Sequence, residues 1–227
     1  MSDIFKIKCI CLILIGIFVL GCERDQHVLP TDGDGNVYDT VVIGTQVWLA
    51  ENLKTTKFNN GVSIPLVIDG DEWATMSAAS YCWYDNHPDF KNTYGALYNW
   101  YAVNSTTLCP VGYHVPTKDD WITLLEYLGG EKVAGGKLKE AGLIHWQSPN
   151  TDATNESGFT ALAGGYRNFN GSFNNIGYEG KWWSSTPSTE SEKAWYRFSV
   201  SSGSSWLTDG MWEKTAGQSV RCIKDNP

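Results

Sequence analysis

Apolar and polar positions divide the chain into segments of different character. Cys9–Leu20 is apolar throughout, apart from Gly16, and Glu23–Thr31 is polar and patternless. Asp32-Gly33-Asp34-Gly35-Asn36 has the composition of a turn. Strand-forming Val37, Tyr38, Val41, Val42 and Ile43, then Val47, Trp48 and Leu49, predict a hairpin turning near Gly44-Thr45. Tyr94, Leu97, Tyr98 and Tyr101 recur at i, i+3, i+4, i+7, which predicts a helix over Tyr94–Asn104 with an aromatic core stripe. A second helix starts at Thr117, whose hydroxyl suits an N-cap with Asp120 completing a capping-box-like pair. Its apolar face is Trp121, Leu124, Leu125 and Leu128, and Gly129-Gly130 ends it. A weaker helical turn is expected at Lys137–Ala141. From Asn150 onward Gly, Ser, Asn and aromatics dominate, with short strands expected at Phe159–Leu162, Lys181–Ser184, Ala194–Val200 and Ser219–Ile223. The long segments between them must pack on themselves, and Trp and Tyr rings are the natural fillers. No fixed-period repeat is present.

The N-terminal apolar run is too short to span a bilayer, which takes about 20 residues. Behind Lys6 and Lys8 it has the length of a signal h-region. It ends in Val19-Leu20-Gly21-Cys22, which resembles a lipobox and implies cleavage after Gly21 and lipidation of Cys22. The expected organisation is therefore a signal peptide at 1–21, a lipidated tether at 22–31 and one domain at 32–227. This places the protein in the cell envelope of a Gram-negative-type bacterium, as an outer-membrane or cell-surface lipoprotein. The membrane is a partner through the lipid, each buried CH₂ of which contributes about 0.8 kcal/mol. Losing Asp3, Lys6 and Lys8 leaves 15 basic and 24 acidic residues. That acidic, dispersed charge argues against nucleic acid and against electrostatic adhesion to anionic lipid.

Three cysteines follow Cys22, namely Cys82, Cys109 and Cys222, so a disulfide leaves one thiol over. His27, His87, His114 and His145 are scattered, and no CxxC occurs, so no zinc site is expected. The spacing from Asp32 suggests calcium, but an EF-hand loop needs Gly and Glu where Val37 and Ile43 stand, and a tight turn fits better. No metal or cofactor is expected. Neither G-x-S-x-G nor H-E-x-x-H is present. The acidic pairs Asp119-Asp120 and Asp71-Glu72 sit at a helix start or in a loop, as solvated charge.

A set of stretches resembles one family. They are Asp34-Gly35-Asn36-Val37-Tyr38, Gln46 to Leu53, Tyr81-Cys82-Trp83-Tyr84, Tyr94 to Ala102, Leu108-Cys109-Pro110 and Gly112 to Thr117. Thr154 to Phe159, Gly164-Gly165-Tyr166-Arg167, Trp182 to Thr186 and Ser219-Val220-Arg221-Cys222 complete the set. Together they resemble the Fibrobacter succinogenes major paralogous domain, found in bacterial surface lipoproteins, over about Asp32–Asp225. Tyr113 stands where that family leads one to expect Trp, and Gln218 where it leads one to expect Phe. The family has no settled biochemical activity. His114 to Trp121 and the closing Val220-Arg221-Cys222 are also similar to the formylglycine-generating enzyme family. That similarity implies an α+β, C-type-lectin-like architecture: loop-rich, with short antiparallel strands and two or three helices. It further implies a disulfide between Cys109 and Cys222, leaving Cys82 as the odd thiol. The oxidase chemistry of that family needs two late cysteines, and only Cys222 lies late, so catalysis is not expected.

Trp is 11 of 227 residues, and aromatics with Arg dominate binding hot spots. Trp206 and Trp212, in the Ser/Gly-rich stretch Ser201–Gly217, lead the ligand-binding candidates, followed by Trp182, Trp183, Tyr166 and Arg167. Against this, any one Trp is more often core than binding surface. The sequence therefore points to a non-catalytic binding module for a glycan or protein, or else to a structural subunit of an envelope or adhesion complex.

Overall fold

The structure is a computed structural model that describes residues 8–12, 19–23, 28–189 and 193–225. The signal-segment and tether readings fall partly outside these residues. Among the described residues no helix is long and apolar enough to cross a membrane. In the N-terminal segment β1 (Lys8–Leu12) pairs antiparallel with β2 (Val19–Glu23). The domain is α+β. Its strands, mostly antiparallel, form separate small sheets, joined by five short helices among the described residues.

β3 (Thr40–Ile43) and β4 (Gln46–Leu49) make the expected hairpin, with Ile43 opposite Gln46 and only Gly44-Thr45 between them. Gly44 turns at φ +62°, where a residue without Cβ is at ease. The turn before the hairpin is closed by Asp32. Its carboxylate accepts from the amides of Asp34 and Asn36, the Asn36 carboxamide and the Tyr38 hydroxyl. Those bonds occupy the carboxylate, as a tight turn requires.

The chain continues through α1 (Gly70–Thr75), β5 (Tyr81–Cys82), α2 (Lys91–Tyr94), β6 (Leu97–Tyr98) and α3 (Trp100–Val103). The helix expected over Tyr94–Asn104 is thus two helical turns interrupted by a strand. Gly95 at φ +76° ends the first turn, and β6 then pairs with β5. The aromatic stripe is core as expected, but for a different reason. Tyr98 packs into one apolar cluster and Leu97 into another, so this strand is covered on both faces.

β7 (Tyr113–His114) leads to α4 (Lys118–Tyr127), capped by the expected Thr117–Asp120 box. α5 (Glu131–Leu138) lies earlier than expected and stops where Lys139 turns extended. β8 (Gly164–Arg167), β9 (Phe173–Ile176), β10 (Glu179–Pro187), β11 (Lys193–Ser201) and β12 (Thr208–Glu213) form a sheet ordered β12-β11-β10-β8-β9. Only the β10–β8 pairing in it is parallel. β13 (Ile223–Lys224) closes the other sheet, ordered β3-β4-β13-β7. Phe159–Leu162 and most of Ser219–Ile223 are not strands. They are held by single bridges such as Lys139–Ala161 and Trp182–Ser219.

Two large apolar clusters meet along β10. Trp183 lies in the cluster that contains the Cys109–Cys222 disulfide, and Trp182 lies in the one built on α4. In the latter, Trp121 and Trp182 sit 4.6 Å and 4.8 Å from the Phe198 ring, with Trp48 4.8 Å from Trp121.

Arg221, Arg167 and Lys139 are buried cations that brace neighbouring segments of the chain, and none of the three takes a carboxylate partner in its hydrogen bonds. Arg221 donates to Leu49 O, Phe159 O (2.7 Å) and Asn52 Oδ1, and stacks 4.3 Å from the Phe159 ring centroid. Arg167 donates to the carbonyls of Val67, Ile68, Asp69 and Gly171 and lies between the Trp73 and Phe173 rings. Lys139 Nζ donates to Thr151 O, Ser201 O and Ser204 O at 2.8–3.0 Å. Carbonyl dipoles and ring faces thus stand in for counter-ions, and each cation gathers several loop carbonyls at once.

Candidate functional site

The six aromatic and Arg candidates separate into three groups. Trp182, Trp183 and Arg167 are buried, with exposures of 0%, 0% and 1%. Trp182 Nε1 donates to Asn52 Oδ1 and Trp183 Nε1 to Tyr98 O, both at 2.7 Å. These three have no surface to offer a ligand. They are core and bracing residues, not the binding residues that the sequence suggested. Tyr166 and Trp212 do meet, at 6.1 Å and near-perpendicular, but the chain's own Lys181 lies against both rings. Its Nζ is 3.7 Å from the Tyr166 centroid and 3.0 Å from Glu179 Oε2. Burial, aided by Glu179, raises the Tyr166 phenol above its ordinary range. Trp206 stands apart and exposed, beside Lys132 and over Gly135 of α5.

Surface clefts lie elsewhere. One of about 240 Å³ is lined by Val103 to Thr106, Cys109, His114, Val115 and Ser185. His114 is clamped there, Nδ1 2.7 Å from Asp225 and Nε2 3.2 Å from Asp120. The hydrogen bond to Asp120 raises its pKa, burial opposes, and Asp225 raises it further. Ser185 Oγ donates to Val115 O, so it is not poised as a nucleophile towards the imidazole. A second cleft, of about 220 Å³, lies between Tyr94, Ile144, His145, Gln147 and Ile176. Its loop is pinned from beneath, because Asn150 Nδ2 donates to both Glu140 O and Gly142 O.

The third cleft holds about 410 Å³ between β3 and the turn joining α4 to α5. Its walls are Val42, Ile43, Tyr127, Leu128, Lys137, Glu156 and Ser157. Tyr127 closes the last turn of α4 and is 64% exposed. A Cβ on Gly44 would stand 2.8, 2.9 and 3.3 Å from Cδ2, Cγ and Cε2 of that ring. Near-equal approach to adjacent ring atoms means that Gly44 lies against the ring's face. The hairpin turn therefore lies under one face of the Tyr127 ring, which is otherwise largely exposed. Lys137 Nζ and Glu156 Oε1 pair at 2.9 Å on the cleft wall, and Ser157 Oγ donates to Lys137 O.

Over residues 41–224 the chain matches the family model described as the Fibrobacter succinogenes major domain. The chain belongs to that family. Comparison with curated proteins and with solved structures found no match. The stretches that carry the family resemblance include many of the bracing residues of this Fibrobacter major domain: Asn52, Arg167, Trp182, Trp183, Arg221 and Cys222. They account for the fold more than for a site. The disulfide expected from the resemblance is present between Cys109 and Cys222, and Cys82 is the free, buried thiol. Burial pushes that thiol up to about 12, which keeps it protonated and unreactive. Among the described residues no group of three or more His, Cys, Asp or Glu could hold a metal ion. Sequence reasoning missed Tyr127. It breaks no pattern at the end of an amphipathic helix, and the only signal was a glycine at position 44 that the hairpin already explained.

Proposed function

We propose that this chain is a lipid-anchored protein of the bacterial cell envelope, at the outer membrane or cell surface, whose domain binds a ligand without catalysis. The lipobox at Val19–Cys22 behind Lys6 and Lys8 supports the anchor. The observation that carries the binding reading is Tyr127, an exposed ring laid flat on Gly44 over an open cleft. Aromatic rings of fixed orientation supply contact area at little entropic cost. The non-catalytic reading is supported by the locked state of the reactive residue types. Cys109 and Cys222 are bonded to each other, Cys82 is buried, and Ser185 is tied to carbonyls. A C-type-lectin-like architecture belongs to the same proposal. In its favour are the disulfide from the region before α4 to the closing strand and the loop-rich packing of the C-terminal half. The ligand is a glycan or a protein.

A structural or assembly role is the second reading. Leu143 and Ile144, 59% and 81% exposed on the pinned loop, favour it, because bare aliphatics on a held loop suit a protein contact. A binding screen of the native protein against glycans and envelope proteins tests both. Loss of a ligand in Tyr127→Ala supports the first reading, and loss of a protein partner only in Ile144→Asp supports the second. The anchor is tested by mass spectrometry, which should find a diacylglyceryl increment on a mature N-terminus at Cys22. An unmodified Cys22 would remove that part of the proposal.

A further inference from the structure

We propose that the cleft between β3 and the α4–α5 turn takes one pyranose ring of a neutral glycan, stacked on the outer face of Tyr127 and hydrogen-bonded to the Lys137–Glu156 pair. This rests on the binding-module reading above and names its site and ligand class.

The platform is built rather than incidental. Tyr127 is 64% exposed, and the Gly44 backbone lies against its ring. Glycine suits the position beneath it, since φ at Gly44 is +62° and a Cβ there would stand 2.8 Å from the ring, closer than ordinary van der Waals contact. A ligand ring with an apolar C–H face matches such a surface, because the cost of ordering the platform is already met by the fold.

Across the cleft, Lys137 and Glu156 offer fixed donors and acceptors at 2.9 Å from each other, with side chains 35% and 55% exposed. A hydroxyl both donates and accepts, so a pair of adjacent hydroxyls can bridge an ammonium and a carboxylate. The two charges cancel, so the wall attracts no net ion, and the chain's overall charge of −8 disfavours an acidic ligand. Ser157 holds the Lys137 backbone through its hydroxyl, which keeps this wall in register. The volume of about 410 Å³ suits one ring with a neighbour leaving along the surface. A protein partner would need a standard interface of about 1,200–2,000 Å², far more than the seven residues that line this cleft.

The test uses the full-length protein in a zwitterionic detergent, titrated calorimetrically with neutral gluco-, galacto-, manno- and xylo-oligosaccharides and with uronic-acid oligomers. At least one neutral oligosaccharide should bind and the uronic-acid oligomers should not. Tyr127→Ala should weaken binding about tenfold or more, while Tyr127→Phe leaves it nearly unchanged. Glu156→Gln should weaken it as well, and Trp206→Ala should not. Tyr127 is exposed, so its truncation leaves the core intact, and circular dichroism with an unchanged melting temperature confirms this. If a glycan binds equally to Tyr127→Ala, or is lost only in Trp206→Ala, the site is elsewhere and this inference is overturned while the binding-module reading stands. If only uronic-acid oligomers bind, or only an envelope protein does, the ligand class is wrong and the module reading again stands. If nothing binds, both fall.

Discussion

Replacing Arg221 by methionine removes a charged fork from the junction between the two largest apolar clusters. Leu49 belongs to one of them and Phe159 to the other, and both carbonyls accept from this one guanidinium. Burial lowers the guanidinium pKa to about 9, still above neutrality, so the side chain is cationic under ordinary conditions. Methionine keeps most of the length and apolar contact but donates nothing. Asn52 Oδ1 retains Trp182 Nε1 at 2.7 Å, whereas Leu49 O and Phe159 O lose this donor in the interior. Each stranded acceptor costs about 1–3 kcal/mol. Relief from holding a desolvated charge offsets part of that, which leaves a net loss of about 2–4 kcal/mol. Against a total stability of about 5–15 kcal/mol the effect is large. With a urea dependence of about 2 kcal/mol per molar, the unfolding midpoint should fall by about 1–2 M, read by tryptophan fluorescence. Arg221→Lys should recover only part, since a point charge cannot span three acceptors set around a planar fork. A midpoint for Arg221→Met within about 0.3 M of the parent would show that the guanidinium is not the brace described.

Other consequences follow from single side chains. Gln218 is fully buried with neither Oε1 nor Nε2 partnered, so Gln218→Met should raise stability by about 1–3 kcal/mol; a lower melting temperature would contradict this. The Cys109–Cys222 bridge spans 113 residues, so Cys109→Ala with Cys222→Ala should cost up to about 4–5 kcal/mol, and an unchanged urea midpoint would refute it. His114, clamped by Asp120 and Asp225, has a folded pKa raised above 6.5. Its stabilising contribution is therefore complete below about pH 6.5 and fades as pH rises through the raised value. The melting temperature should thus fall between about pH 6 and 8 more steeply in the parent than in His114→Gln, and equal slopes would exclude the clamp.

Legibility from sequence followed the range of the forces involved. The β3–β4 hairpin and the capped α4 were readable because their signals are local: Gly-Thr between β-branched runs, and Thr117 with Asp120. The Tyr94–Asn104 segment misled because a strand buried on both faces places apolar residues next to each other, and here the spacing matched a helix. Strands β9 and β12 are polar, Phe-Asn-Asn-Ile and Thr-Asp-Gly-Met-Trp-Glu, and exist through partners far along the chain. The buried cations were invisible for the same reason. Arg167, Lys139 and Arg221 look like surface charges until the loop carbonyls they collect are brought together. The binding candidates failed where Trp182 and Trp183 proved to be core. Tyr127, by contrast, is an ordinary helix residue made distinctive only by Gly44, which lies 83 positions earlier.

The most direct test of the proposed glycan site is an amide chemical-shift map of the protein during titration with the neutral oligosaccharide panel. Shifts should concentrate on Gly44, Tyr127, Lys137 and Glu156, with Tyr166, Trp182, Trp183 and Trp212 silent. Shifts centred on Tyr166 and Trp212, or on Trp206, would return the site to the aromatic C-terminal half and contradict the placement argued above.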